Sequence, residues 1–593
     1  MSPLVLLLVV IFLVRPVRFR VLFPVINKRV KIYIDMSTVP VFGVLLLLAC
    51  GCINGGDLVA GIAGNSDMQP YAIVLLFFSL AYLCVSLDIT GVFEYISLWS
   101  IVKTNGSGLK LFFSVFLLCT LMTLVTSTDV VILTLTPIIC LLARHTHIDP
   151  MPFLMLQFYT ANILSIFLYI GNSTNIIVAQ ANKISFLGYS KWMTLPATVA
   201  GLSGLFLIWV RFRKKIPSRV EVPDVDPVKA LKDKKGAVFG CVCLGICLVM
   251  LVSSPWLPIP IYIITTSFMG VFLIKDILHS MYQGPIVVHD SALLEMGVIR
   301  KDNQEKIDQE TQVDDQEEPE ESGRNSRHLS ISTSGSVSRN ENEESQVGSR
   351  NERQGPIEKK SVSGSKSEEK KSSGERDVVV AITNIFSADV SACDTGDSKN
   401  AVTESPVSKW QLQDSESSEE DLTKKEYQLF IVLKRLPWPV IPFLFSTFII
   451  VEALGVAGWN SKLAHLFSLA IGPTDTVTSI TISVFLIGLS SSVISNIINT
   501  QPMTILFTAI LSEPSFVVGP NSKLAAMLSL VMGSNLGPNF TLMGTIAGLM
   551  WSRILEKKGF SITYLQFALY GITLMPLIVG LSCATLVAEF VLF

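Results

Sequence analysis

Two tracts of small polar residues interrupt long apolar segments of the chain, and their side chains are well suited to binding a solute. Gly171–Asn175 reads Gly-Asn-Ser-Thr-Asn, and Gly533–Asn539 reads Gly-Ser-Asn-Leu-Gly-Pro-Asn. Their amides and hydroxyls offer neutral donors and acceptors, which suit an oxyanion, a carboxylate or a hydroxylated metalloid. Backbone that unwinds at membrane depth persists only inside protein or beside a watery cavity. The pair therefore predicts a solute site at corresponding positions of two halves.

Two further polar tracts lie between pairs of short apolar arms. Thr126–Asp129 divides residues 109–144, and Ser495–Pro502 divides residues 477–511. We interpret each unit as a re-entrant hairpin whose polar tip is buried in protein. Each hairpin precedes a broken helix, so every tip is paired with one of the first two tracts.

The charges that flank the hairpins predict the faces from which they enter the membrane. Lys110 and Arg144 bracket the first hairpin, whereas Asp475 and Glu513 bracket the second. Because positive charge marks the cytoplasmic side, the first hairpin enters from inside and the second from outside. The two halves are therefore predicted to be inverted repeats.

The predicted solute- or ion-binding residues come from these four tracts. They are Ser127, Thr128, Asp129, Gly171, Asn172, Ser173, Thr174, Asn175, Ser495, Asn496, Asn499, Thr500, Gly533, Ser534, Asn535, Gly537, Pro538 and Asn539. Asp129 and Glu452 are the candidates for proton coupling, because a carboxylate at membrane depth can carry a proton. Asp129 has an equally good structural interpretation as a cap on the second hairpin arm.

The elements that must position these residues are membrane-spanning helices. The chain has 593 residues with 50% hydrophobic and only 16% charged residues, and its mean hydropathy is +0.52. At about twenty residues per span, the apolar runs predict about ten transmembrane helices with two re-entrant hairpins and two broken helices. The predicted fold class is an all-α polytopic membrane protein.

The composition divides the chain into four predicted parts. These are N-terminal helices at 1–62, a first transporter repeat with linking helices at 63–275, a disordered cytoplasmic Ser- and charge-rich loop at 276–430, and a second repeat at 431–593. The loop carries kinase-type patterns at Arg327–Ser330 and Ser417–Asp421, so kinases are possible partners. The alternative for the loop is a solvated spacer between the halves.

Several classes of function find no support in the motifs. The ten cysteines show no metal-ligand spacing, and we predict neither a metal site nor a cofactor. Cys243 and Cys247 share a helix face, where a soft As(III) site is the alternative to ordinary apolar packing. The chain has no P-loop, Gly-rich nucleotide motif or nucleophile elbow, so we predict no enzyme and no nucleic-acid partner.

The second half resembles a known family. Gly533–Thr545, followed by Trp551 and Arg553, closely resembles the arsenite efflux pumps, the ArsB family of the ion transporter superfamily, and Ser495–Pro502 resembles that family's second hairpin tip. The superfamily also includes NhaD-type Na⁺/H⁺ antiporters and citrate and dicarboxylate transporters. The resemblance covers about 70–275 and 430–590. In the first half, Ser127-Thr128 stand where those pumps have two asparagines, and Gly171–Asn175 is more similar to other branches.

The resemblance implies a secondary active transporter that exports arsenite, antimonite or a related metalloid by proton antiport. It also implies a homodimer whose hairpins and broken helices move like an elevator. The alternatives are a Na⁺-coupled anion or carboxylate transporter, a Na⁺/H⁺ antiporter and, from another class, a non-transporting membrane sensor. The predicted location is the plasma membrane or an organellar membrane.

Overall fold

The structure is a computed structural model. It describes residues 3–5, 9, 17–23, 28–34, 38–64, 69–146, 148–220, 227–257, 259–282, 286–288 and 424–592. These residues all belong to one compact unit, Met1–Gln304 with Glu416–Phe593. The predicted Ser- and charge-rich loop, with its kinase-type patterns, lies almost wholly outside the described residues, as does most of the first apolar run, Pro3–Val14.

The first half of the described chain is a series of apolar helices, because a helix satisfies every backbone polar group within its own segment. The helices are α1 (Thr38–Ala49), α2 (Gly55–Ala63), α3 (Pro70–Ile89), α4 (Val92–Val102), α5 (Gly108–Val125), α6 (Thr128–Thr146), α7 (Met151–Leu164), α8 (Ser173–Ala181), α9 (Phe186–Phe212), α10 (Lys234–Val252) and α11 (Ile261–Tyr282). Short 3₁₀ turns stand at Ser165–Phe167, Pro227–Ala230 and Ser254–Trp256.

The second half repeats the same order of elements. Its helices are α12 (Gln428–Arg435), α13 (Val440–Val456), α14 (Trp459–Ile471), α15 (Val477–Ile498), α16 (Thr500–Ser512), α17 (Pro520–Leu536), α18 (Ile546–Lys557) and α19 (Tyr564–Leu592). A helical hairpin followed by a broken helix and a long helix occurs in each half, as α5 to α9 and as α15 to α19. The break in the second half contains 3₁₀ turns at Gly537–Asn539 and Leu542–Gly544.

Two short antiparallel strand pairs accompany the helices, and neither was predicted. Strands β1 (Val17–Phe23) and β2 (Lys28–Ile34) pair with Val17 opposite Ile34. Strands β3 (Ile286–Val288) and β4 (Lys424–Glu426) pair at the two ends of the long loop. The membrane-spanning part is helical throughout the described residues, so the predicted all-α fold class is confirmed there.

Eight helical segments of the described chain are long and apolar enough to span a membrane, when α12 and α13 are counted together as Gln428–Val456. They include α5, with 18 residues, and α15, with 22 residues. These two arms are therefore longer than the short apolar arms predicted from the sequence, and the re-entrant course of the hairpins stays a prediction.

Other boundaries differ from the sequence-based expectation. Within the predicted N-terminal helices at 1–62, a turn at Cys50–Asn54 separates α1 from α2. Helix α11 continues to Tyr282 and α12 begins at Gln428, so both ends of the predicted loop at 276–430 are helical. Helix α14 was not predicted at all.

Candidate functional site

The tip of the first hairpin lies against the first polar tract. The backbone N–H of Thr128 donates to the carbonyl of Gly171 at 3.3 Å. The Thr128 hydroxyl donates to the carbonyl of Ala161, also at 3.3 Å. Asn172 caps α8 by accepting from the N–H of Thr174. The structure thus brings together the first tip and the first tract, and it divides the tract, because Ser173, Thr174 and Asn175 form the first turn of α8.

The tip of the second hairpin lies against the second tract in the same way. The Asn496 amide donates to the carbonyl of Gly537 at 2.9 Å and accepts from the Thr541 hydroxyl at 2.7 Å. The Thr500 hydroxyl donates to the carbonyl of Gly544. Helix α17 continues through Leu536, so Gly533–Leu536 is helical and the break begins at Gly537.

The second tract approaches α15 so closely that only glycine fits at two of its positions. A Cβ on Gly533 would lie 1.8 Å from the Ser491 hydroxyl oxygen. A Cβ on Gly537 would lie 2.2 Å from the Ser495 hydroxyl oxygen and 2.8 Å from the Ser492 carbonyl oxygen. Small residues at four-residue spacing allow two helix backbones to pack this closely in a membrane. These glycines therefore position the tract against the hairpin arm.

Asn535 joins the two halves of the molecule. Its carbonyl oxygen accepts from the Asn172 amide at 2.9 Å and from the Ser165 hydroxyl at 2.7 Å. Its amide nitrogen donates to the Asn175 carbonyl oxygen at 2.7 Å and to the Val531 backbone carbonyl at 2.8 Å. All three partners outside its own helix come from the first half of the chain. The two polar tracts therefore meet directly, and we call the hydrogen-bonded set around Asn535 and Asn539 the asparagine network.

Asn539 makes the second bridge between the halves. It accepts from the Asn162 amide at 3.2 Å, and its backbone carbonyl accepts from the Tyr159 hydroxyl at 3.0 Å. A third bridge runs from the second tip, where the Gln501 amide donates to the Ser173 hydroxyl at 3.0 Å. Sequence analysis missed Tyr159, Asn162, Ser165 and Gln501. Polar residues that recur within an otherwise apolar helix could have indicated the first three, because Tyr159 and Asn162 lie on α7 and Ser165 directly follows it.

The remaining predicted residues lie at the edges of the network. The Ser534 hydroxyl donates to the carbonyl of Val531, and the Ser495 hydroxyl donates to the carbonyl of Ser492. Thr174 donates to the Asn175 carbonyl oxygen at 3.5 Å. Pro538 stands in the 3₁₀ turn that follows α17. These side chains support the local backbone more than they join the halves.

The two candidate coupling carboxylates are outside the asparagine network. Asp129 is half-buried in the first turn of α6, and among the described residues its carboxylate has no hydrogen-bond partner. The cap interpretation of Asp129 therefore receives no support from a described hydrogen bond. Glu452 is half-buried on α13, whose neighbouring residues Ile449, Ile450 and Ala453 pack against α1.

A small cavity of about 20 Å³ lies beside the first tip. Thr126, Ser127 and Ser173 form its polar side, and Phe77, Leu80 and Cys84 of α3 belong to its apolar wall. A volume of this size accommodates about one water molecule. A larger solute therefore needs the tip to move before it can occupy this place.

Asn499, at the second tip, has an unusual backbone conformation. Its φ is 68° and its ψ is 152°, a region that residues other than glycine rarely adopt and that costs on the order of 1–3 kcal/mol. Its carbonyl oxygen caps α16 by accepting from the Gln501 N–H at 3.4 Å. Strained backbone of this kind is concentrated at functional sites, which favours a functional role for the tip.

The chemistry of the site is neutral. Every described hydrogen bond between the tips, the tracts and their partners is formed by amides, hydroxyls and backbone groups. Among the described residues no group of three or more His, Cys, Asp or Glu side chains is placed to hold a metal ion. Spanning helices, paired hairpins and broken helices that meet at a buried polar centre define a multi-pass membrane transporter.

Comparisons with known families identify the particular group. A family model described as citrate transporter matches residues 7–306, half of the chain, and one described as arsenical pump membrane protein matches residues 423–592. The first match covers half of the chain, so the chain belongs to the citrate transporter family of the ion transporter superfamily. Its second half is similar to the arsenical pump membrane proteins. The division agrees with the resemblance described above, in which the second half is similar to the arsenite pumps and the first half departs from them.

Individual relatives match over shorter stretches. An uncharacterized transporter of Synechocystis is 28% identical over 35% of this chain and 46% of its own length. An arsenical pump membrane protein of Escherichia coli is 29% identical over 35% of this chain and 48% of its own. A putative arsenical pump membrane protein of Bacillus subtilis is 28% identical over 25% of this chain and 32% of its own. The matched stretches thus span a third to a half of these relatives.

Proposed function

We propose that this transporter exports arsenite, antimonite or a related hydroxylated metalloid in exchange for protons. The observation that carries the proposal is the neutral centre where the two tracts meet, built around Asn535. Arsenous acid is largely uncharged at physiological pH, and it needs hydrogen-bond donors and acceptors but no cationic partner. The arsenical-pump match over residues 423–592 supports the same substrate class.

Asp129 is the proposed proton carrier. It directly follows Thr128, which lies against the first tract. Among the described residues, no hydrogen-bond or ion-pair partner stabilises the charge of its carboxylate. Glu452 is the second candidate, on α13. The superfamily resemblance adds to the proposal a homodimer and an elevator-like movement of the hairpins and broken helices. The kinase-type patterns add kinase regulation through the long loop, and the proposed location is the plasma membrane or an organellar membrane.

The experiment is transport by everted membrane vesicles supplied with arsenite, Na⁺ or citrate under an imposed proton gradient. We expect arsenite to accumulate only with the gradient, and we expect Asp129→Asn to remove that dependence. Asp149→Asn is the matched control, because Asp149 is a partly exposed carboxylate that pairs with Lys215 at 2.9 Å. Arsenite accumulation that ignores the gradient would contradict the proposal.

A Na⁺-coupled carboxylate or anion transporter, or a Na⁺/H⁺ antiporter, is the second candidate. The citrate-transporter match over residues 7–306 favours the carboxylate form. An anionic substrate would need helix-end N–H groups, such as those at the start of α8, or bound Na⁺ to balance its charge. The same vesicles distinguish the candidates, since Na⁺-dependent citrate uptake without arsenite uptake would replace the main proposal.

A non-transporting sensor is the candidate from another class. It predicts that deleting residues 289–423 abolishes function while Asp129→Asn leaves function intact. The transporter proposal predicts the reverse, because the hairpins and tracts are complete without that segment. Measuring both variants in one vesicle assay separates the two classes.

A further inference from the structure

Gln501 presents an unpaired acceptor inside the site. The residue is only 8% exposed, and its side-chain carbonyl oxygen has no partner among the described residues. A buried carbonyl without a hydrogen bond costs about 1–3 kcal/mol. A cost of this size at the strained second tip points to a ligand that completes the bond.

The orientation of the Gln501 amide follows from its neighbours. The Ser173 hydroxyl donates to the carbonyl oxygen of Asn172 at 3.3 Å. Ser173 therefore has only its oxygen lone pairs left for Gln501, so the Gln501 atom 3.0 Å from it must be the amide nitrogen. The carbonyl oxygen of Gln501 is consequently the free end.

An unpaired donor lies two residues away. Asn499 is 3% exposed, and its amide nitrogen has no partner among the described residues. Its carbonyl oxygen is used by the Gln501 N–H, which leaves the nitrogen as the free end. The second tip therefore holds one buried free acceptor, the Gln501 carbonyl oxygen, and one buried free donor, the Asn499 amide nitrogen. Ser173, which is hydrogen-bonded to Gln501, also borders the cavity beside the first tip.

We infer that Gln501 is a specificity-determining residue that selects neutral hydroxyl groups over carboxylates, an inference that rests on the proposed function. A hydroxyl group both donates and accepts, so it satisfies Gln501 and Asn499 together. A carboxylate only accepts, so it satisfies Asn499 but places its lone pairs against the free carbonyl oxygen of Gln501. The Ser173 bond holds that carbonyl in place and thereby makes the selection depend on contact between the two halves.

The test compares arsenite and citrate transport by wild-type protein, Gln501→Met and the matched control Gln566→Met in vesicles. Gln566 is exposed and bonds only to Thr563 at the start of α19 among the described contacts. We expect Gln501→Met to raise the KM for arsenite about 3- to 10-fold, the effect of one net hydrogen bond. The kcat should stay within about twofold in this variant, and Gln566→Met should change neither constant.

A second arm tests the orienting role of Ser173. Ser173→Ala should raise the arsenite KM in the wild-type background. It should have little further effect in Gln501→Met, because methionine has no amide for Ser173 to orient. Equal effects in both backgrounds would contradict the inference. If Gln501→Met does not elute as folded protein in detergent, Gln501→Leu replaces it with the same expectation.

The outcomes separate the two claims. Wild-type vesicles that fail to transport arsenite overturn the proposed function, and with it the selection by Gln501. Wild-type transport of arsenite with an unchanged KM in Gln501→Met overturns the inference alone. A rise in the KM for citrate as large as that for arsenite also overturns it, because loss of an acceptor should not weaken a carboxylate.

Discussion

Asn535 shows how a single side chain links the two halves of the site. Its one amide group satisfies three side chains of the opposite half, Asn172, Asn175 and Ser165. All four residues are at least largely buried, where an unpaired amide or hydroxyl is expensive. The geometry therefore makes the two tracts dependent on each other for their hydrogen bonds.

We predict an energetic coupling between Asn175 and Asn535. In a double-mutant cycle with leucine at each position, measured by unfolding in detergent, the coupling should be about 0.5–3 kcal/mol, since the two amides share a bond. Asn182→Leu is the control, because Asn182 donates to Val178 within its own helix. Its combination with Asn535→Leu should be additive, and an additive result for Asn175 and Asn535 as well would contradict a direct bond.

At this scale the sequence predicted the network only in part. The asparagines of both tracts were recognised because amides in an apolar segment need partners. Asn162 and Gln501 were missed, because their importance arises from partners that are hundreds of residues away in the chain. Pairings over such separations depend on how helices pack, which local patterns do not contain.

At the scale of elements, the two halves repeat a common plan. Helices α4 and α14 each begin after a glycine in left-handed conformation, Gly91 with φ 81° and Gly458 with φ 74°. Each precedes a hairpin and a broken helix. The sequence predicted the hairpins and breaks because polar tracts mark them, but it missed α14, whose mixed composition carries no clear signal. The opposite entry of the two hairpins stays a prediction based on flanking charge.

Asp475 caps the broken helix of the second half from outside that helix. Its carboxylate accepts from the N–H groups of Asn521 and Ser522, at 3.0 and 2.8 Å, in the first turn of α17. Burial opposes the charged form, but these hydrogen bonds outweigh it and lower the pKa of Asp475. A lowered pKa in the folded state means that the carboxylate stabilises the fold above its ordinary pKa of about 3.9.

We predict that Asp475→Ala lowers the melting temperature at pH 7 by an amount that shrinks as the solution is acidified. The stabilisation is complete above the unfolded-state pKa of about 4. It is lost as the pH falls from there through the lowered folded-state pKa, because Asp475 of the folded wild-type protein then becomes protonated. Thermal unfolding in detergent across this pH range measures the difference. Glu556→Ala, at an exposed position, is the control, and a difference for Asp475→Ala that is constant with pH would contradict the assignment.

At the scale of the whole molecule, a buried charge ties the halves together at the ends of the long loop. Asp276 of α11 is fully buried and pairs with Lys275 at 2.8 Å. It also accepts from Tyr82 and Ser86 of α3, both at 3.0 Å, and from Gln428 of α12 at 3.1 Å. The segments before and after the loop are therefore anchored to one carboxylate.

We predict that Asp276→Ala destabilises the protein by about 3–5 kcal/mol. The substitution removes the carboxylate that pairs with the partly buried Lys275 and leaves the buried donors of Tyr82 and Gln428 without their acceptor. Asp149→Ala is the comparison, because the ion pair of Asp149 with Lys215 is much more exposed. The Lys215 side chain is 49% exposed and the Asp149 side chain 35%. An exposed pair contributes at most about 1 kcal/mol. Unfolding of both variants in detergent measures the contrast, and equal losses would show that Asp276 is not the anchor of the two halves.

The sequence by itself determined the membrane class, the order of hairpin and broken helix in each half, and the four polar tracts. These features can be predicted from local stretches of sequence, because long apolar runs form membrane-spanning helices and polar residues are rare within them. Only the tertiary structure decided that the tracts bond to each other through Asn535, that Gln501 joins the site through Ser173, and that Asp276 holds both ends of the loop. The physical reason is that buried polar groups must find partners, and helix packing chooses which distant residue supplies them.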